Sequence, residues 1–249
     1  MSHLKGRITL TEQDLYTSSA DKLHTIGTIA DGSKGRLFRY VLAGGSSLVA
    51  GNTLQESAED TTMENMVIPT AGVAGDNYIN VTNGTGTITS AMYEGGTISV
   101  YTSGTSLIGE EYLITKVTGP AAGMTSGVAL KVYIDRPLRK AIAVTATVNM
   151  KRSPWSGVIQ STGTTASGMP VGVAIYPITN AQYGWVLTHG EGNVLCDGTT
   201  MAVGSDLALS VTVAGASGLY AVTSGRARIG YARQANASGK GITAFLQID

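Results

Sequence analysis

The chain has 249 residues and is 43% hydrophobic, enough for one large domain or two smaller ones with real cores. It is only 14% charged, well below the ~25% of ordinary soluble domains. Lysine plus arginine and aspartate plus glutamate both number 17, which excludes the basic excess of a nucleic-acid binder and disfavours purely electrostatic attachment to an anionic membrane.

The opening stretch, MSHLKGRITLTEQDLY, has no apolar segment followed by a small-residue cleavage site, so no signal peptide is expected. No run reaches the ~18 apolar residues that a membrane helix requires. Cys196 is the only cysteine, so no intrachain disulfide can form. Folding without covalent staples in a cytoplasm is the expectation. Residues 1–34 are polar and aperiodic and read as an extended N-terminal arm, ordered only where it docks. Leu4, Ile8, Leu10, Leu15, Leu23, Ile26 and Ile29 would be its apolar anchors.

From Gly35 the texture changes. The run Leu37–Leu42, the turn AGGSS and a second apolar stretch ending at AGN predict a β-hairpin within 35–62 that joins the body. Residues 63–153 are expected to form a first β-rich domain. NMVIPT, NYINVT, GTISVYT, EYLITKVT, VALKVYID and AVTATVNM are strand-length runs separated by Gly-rich turns. In ALKVYID the two-residue period puts Leu130, Val132 and Ile134 on one face. Residues 154–249 repeat this texture and predict a second β-rich domain, with the boundary at Lys151–Pro154, where proline cannot donate to a ladder. No solenoid period and no ten-residue helical stripe is present in the two body segments. The fold class expected is all-β, an antiparallel sandwich or barrel.

The stretch AQYGWVLTHGEGNVLCDGTT gathers His189, Glu191, Cys196 and Asp197. His189-Gly-Glu191 matches the first half of a zinc deaminase signature, but the P-C-x-x-C half is missing. His3 and His24 lie in the expected arm, so no metal site is expected. No G-x-S-x-G elbow accompanies His189. The alternative is structural: GEG as a hairpin turn, Tyr183, Trp185 and Leu187 on one face of a strand, and Val194 and Cys196 on the returning strand. Tyr183, Trp185 and Cys196 are then core residues. GTGTITS and GKGITA lack the spacing of a phosphate cradle. NVT at 80–82 and NGT at 83–85 read as turn chemistry. No catalytic residue and no cofactor is expected. Three basic clusters, Lys34/Arg36/Arg39, Arg136/Arg139/Lys140 and Lys151/Arg152, are either solvated strand ends or contacts for an acidic patch on a protein partner.

In order along the chain, GRLFRYVLAGGSSLVAGNTLQ (35–55), GEEYLITKV (109–117), VYIDRPLRKAI (132–142), SPWSGVI (153–159), PVGVAIYPITNAQYGWVLTHGEGNVLCDGTTMAVGSDL (170–207) and GYARQANASGKGITAFLQID (230–249) resemble virion structural proteins of tailed bacteriophages, chiefly head decoration (cement) proteins. Each motif is soft, and their order is more specific than any one of them. The resemblance implies a non-enzymatic virion protein on the capsid exterior, assembled in the host cytoplasm. It would clamp adjacent major capsid protein subunits as a homo-oligomer, most often a trimer, with neither nucleic acid nor membrane as partner. On that reading Leu4, Ile8, Leu10, Leu15, Arg36, Arg39, Arg136 and Arg139 are the capsid-contact candidates, and the arm is a strap between neighbours.

Two other classes compete. One is a tail or fibre component that binds a host glycan. The other is a glycan hydrolase with paired carboxylates, for which Glu110, Glu111, Asp135, Glu191 and Asp197 are the acids available.

Overall fold

The computed structural model describes residues 6–84, 86–102, 110–164, 167–221, 226–235 and 240–249. The chain forms two compact units, Met1–Ala58 with Pro154–Asp249, and Glu59–Ser153. The first unit begins with β1 (Ile8–Thr9), β2 (Ile29–Asp31), β3 (Leu37–Ala43) and β4 (Thr53–Gln55). The second holds β5 (Met66–Val67), β6 (Tyr78–Thr82), β7 (Thr97–Thr102), β8 (Glu110–Thr118), β9 (Ala129–Ile134) and β10 (Ala146–Lys151). The first then resumes with β11 (Ser156–Gln160), β12 (Pro170–Ala174), β13 (Tyr183–Leu195), β14 (Asp206–Leu209), β15 (Ser217–Leu219), β16 (Arg228–Ala232) and β17 (Gly241–Gln247). Among the described residues the α-helices are single turns, α1 (Glu12–Leu15) and α2 (Ser90–Tyr93), and none is long and apolar enough to cross a membrane. The molecule is nearly all β, as its composition and period-two runs predict.

In the Glu59–Ser153 unit one sheet runs β5-β10-β7-β8-β9-β6, and its edges β5 and β6 lie against each other to give a nearly closed barrel. Alternation builds its core. Ile79 and Val81 of β6, Ile98 and Val100 of β7, Leu130 and Val132 of β9 are all essentially without solvent contact, while the residues between them face outward. In β8 a bulge between Ile114 and Lys116 shifts the register by one residue. It carries the inward face from Tyr112 and Ile114 to Val117. NVT at 80–82 lies in β6 rather than in a turn, because Val81 is a core residue. The Asn83 side chain, by contrast, closes a turn by donating to the Gly86 and Met124 carbonyls.

In the other unit the pairing β3-β11-β4-β12-β13-β3 returns to its start, so five strands form a closed ring. Val41, Leu54, Val158, Val171 and Val186 fill it. β3 and β4, consecutive in the chain and expected to pair as a hairpin, are separated by β11, which runs parallel to β3 and antiparallel to β4. Glycine makes that insertion possible, since a Cβ on Gly44 would stand 2.6 Å from the Gly157 Cα.

β13 does not turn at GEG. It is one strand of 13 residues, paired with β3 up to His189 and with β17 from His189 onward. Gly190, at φ 97°, supplies a bend and a close approach rather than a reversal; a Cβ there would stand 3.2 Å from the Arg36 Cα. A register shift between Leu187 and His189 changes the inward parity, so Tyr183, Trp185 and Leu187 share a core with Val194 on the same strand and with Cys196 just after it. The first half of β13 is buried on both faces, with Trp185 toward this second core and Val186 inside the ring. Beyond it, β17, β16, β14 and β15 continue the sheet, and the bridge Cys196↔Ser217 brings β15 back beside the residue that follows β13.

The segment before β3 lies on this unit. β1 pairs parallel with β2, β2 antiparallel with β3, and Ser19 bridges to Tyr183. Thr11 and Asp14 cap α1 reciprocally, and α1 delivers Leu15 into the core.

Candidate functional site

Of the four chemistry-bearing residues of 189–197, His189 and Glu191 lie on β13 and Cys196 and Asp197 just after it, and each has its own contacts. His189 sets its ring edge-on to Phe245, with centroids 5.3 Å apart. Glu191 is exposed and pairs with Arg233 at 3.4 Å. Cys196 is buried with its Sγ 3.5 Å from the Met201 Sδ, and burial pushes its thiol up, away from the reactive thiolate. Asp197 accepts hydrogen bonds from the Ser210 hydroxyl at 2.7 Å and the Thr199 N–H at 3.0 Å, which fixes two turns. Among the described residues no group of three or more His, Cys, Asp or Glu could hold a metal ion.

The basic clusters are largely engaged within the chain. Arg36 pairs with Glu12 at 2.6 Å. Arg39 donates to both oxygens of Asp249, at 2.7 and 2.8 Å, and lies 4.8 Å over the Trp155 ring. Burial raises the Asp249 carboxyl, but the hydrogen bonds from Arg39 and Thr188 outweigh it and hold it below the usual range. In the inserted unit Arg139 pairs with Glu110 at 2.8 Å, while Arg136 covers the Tyr112 ring at 4.9 Å and salt-bridges Asp135 at 3.4 Å. The Tyr112 hydroxyl donates to Glu110 at 2.7 Å; that bond and the Arg139 pair lower the Glu110 carboxyl. A glycosidase acid needs the opposite shift. Asp135 is bound by the Leu113 N–H at 2.9 Å. Of the apolar contact candidates, Leu15 is buried in this chain's own core, Ile8 and Leu10 are half-buried against it, and Leu4 lies outside the described residues. Arg136 and Arg139 remain exposed despite their pairs.

A cleft of about 330 Å³ lies between residues 8–24 and the Tyr40, Tyr183 and Trp185 side of β3 and β13. The register pairs Trp185 with Tyr40 across β13 and β3. Around that pair an aromatic cluster assembles. Tyr40 and Tyr183 stack at 5.8 Å, Tyr40 and Trp185 tilt together at 4.9 Å, and His24 meets Tyr40 at 5.2 Å and Trp185 at 5.3 Å. The Tyr40 hydroxyl accepts from the Leu23 N–H at 3.1 Å and so ties the overlying segment to the sheet. Asp14 brings a carboxylate to the wall. Hydrogen bonds from the Thr11 hydroxyl and N–H hold that carboxyl below its ordinary range. Tyr183 and Trp185 are recognisable as core residues in the sequence, but the cleft is not, because its other members come from β3 and the first 24 residues. The alternation Tyr183-x-Trp185 is its only local signal. No protein-family model, no curated protein and no solved structure matches this chain.

Proposed function

We propose that this chain is a bacteriophage capsid decoration protein, which binds the outer face of the head and stabilises contacts between major capsid subunits, acting as a homotrimer. The observation that carries this reading is the ordered set of motifs between residues 35 and 249 that resemble head decoration proteins. Composition supports it. A charge-poor, neutral surface offers little self-repulsion and suits a protein much of whose surface is covered by partners. The side-chain chemistry supports it too, since Asp197, Cys196, Glu110 and Asp249 are each committed to holding the fold. Arg136 and Arg139 offer exposed guanidinium groups for capsid carboxylates. Mixing the purified protein with undecorated heads tests the reading: saturable binding at a fixed copy number per head is expected, and an absence of binding overturns it.

A further inference from the structure

We propose that the cleft between residues 8–24 and β3/β13 receives a cationic group on an apolar stem, and that its source is an arginine side chain of a partner protein. The first ground is a pattern within the chain. Phe38, Trp155, Tyr78, Tyr112, Tyr93 and Tyr231 each carry an Arg or Lys of this same chain over the ring, at 4.3 to 5.5 Å. Among the described residues no Arg or Lys stands over the His24–Tyr40–Tyr183–Trp185 cluster, which is also the largest aromatic group among them.

The second ground is charge. Asp14 is the carboxylate of the lining, which among the described residues holds no lysine or arginine and one histidine, His24. Both capping bonds from Thr11 use its Oδ2, so Oδ1 takes part in neither. A carboxylate and aromatic quadrupoles attract the same ligand, a cation, and partial desolvation strengthens the attraction. The third ground is size and rim. About 330 Å³ is at the small end of ligand pockets, which run from about 300 to 1,000 Å³, and suits one side chain. Leu23 lines the cleft yet is 68% exposed, placed to pack against an aliphatic stem. Tyr16, just before the lining residue Thr17, is 46% exposed and edge-on to Tyr176 at 6.2 Å. Tyrosine rims and arginine anchors are the residues that dominate protein interfaces.

The test titrates the isotope-labelled full chain with N-acetyl-arginine methylamide, N-acetyl-citrulline methylamide and tetramethylammonium, following the Trp185 indole and His24 ring signals. Citrulline keeps the shape of arginine without its charge. Saturable shifts at Trp185 and His24 are expected with the arginine probe, and at least tenfold weaker binding with citrulline. Asp14→Asn should weaken the arginine probe several-fold. The citrulline comparison uses the unaltered chain, so it decides the matter even where Asp14→Asn loosens the α1 cap. Equal affinity for citrulline, shifts confined to residues outside the cleft, or no saturable shift would overturn the proposal. Tetramethylammonium binding more tightly than the arginine probe would overturn the side-chain source in favour of a small organic cation. This result is independent of head binding: a chain that ignores heads can still take the probe.

Discussion

At the residue scale, the side chains that look most reactive in the sequence are packed or bonded within the fold, and a structural role for them predicts what their removal does. Trp185 is 4% exposed and packs in the core against the rings of His24 and Tyr40, so Trp185→Ala should cost ~3–5 kcal/mol in denaturant unfolding. Truncating His189 removes its edge contact with Phe245, and His189→Ala should cost about 1 kcal/mol. Zinc bound stoichiometrically by the purified protein and lost in His189→Ala would contradict this assignment. Tyr183 and Cys196 were legible as core residues because Tyr183 alternates with Trp185 and Leu187, while the lone Cys196 lacks the P-C-x-x-C partner that a zinc signature needs. The cleft was not legible. Tyr40 and Trp185 are 145 positions apart, and no local rule of strand or turn chemistry states that they share a register pair.

At the scale of elements, period-two alternation found strands such as β9, whose Leu130, Val132 and Ile134 point inward as the pattern predicts. What alternation cannot supply is pairing. GEG was read as a turn because glycine is the residue of turns, yet Gly190 and Gly192 are there for closeness; a Cβ on Gly192 would stand 2.4 Å from the Leu187 Cδ2. The same holds at Gly44, where β11 enters between β3 and β4. Gly44→Val should therefore destabilise by ~1–3 kcal/mol or more through overpacking against Gly157, measured by thermal or chemical melting. The same change at exposed Gly6, where a Cβ meets nothing within 4 Å, should be nearly silent. Melting curves that treat the two positions alike would contradict the close approach.

At the scale of the molecule, residues 59–153 interrupt a unit whose flanking strands β4 and β11 pair with each other, Gln55 beside Ile159. Replacing 59–153 by a short glycine-rich loop should leave the outer unit folded, with an unchanged β signature in circular dichroism; collapse to a disordered spectrum would show that the units depend on each other. Acid should act on both. The Glu110 and Asp249 carboxyls sit below their unfolded values, so the stability they contribute is complete above those values and fades as pH falls through the folded ones. Melting temperature should hold from pH 7 to about 5 and drop below about 4, and Glu110→Gln should flatten part of that drop. The proposal that the chain decorates phage heads is tested most directly by incubating undecorated heads with the purified protein and counting bound copies by cryo-electron microscopy. Saturable, symmetric density on the outer shell, in trimeric clusters, is expected, with heads that rupture at a higher temperature once covered. Bare shells at saturating protein, with the same chain recovered from purified tails, would contradict it.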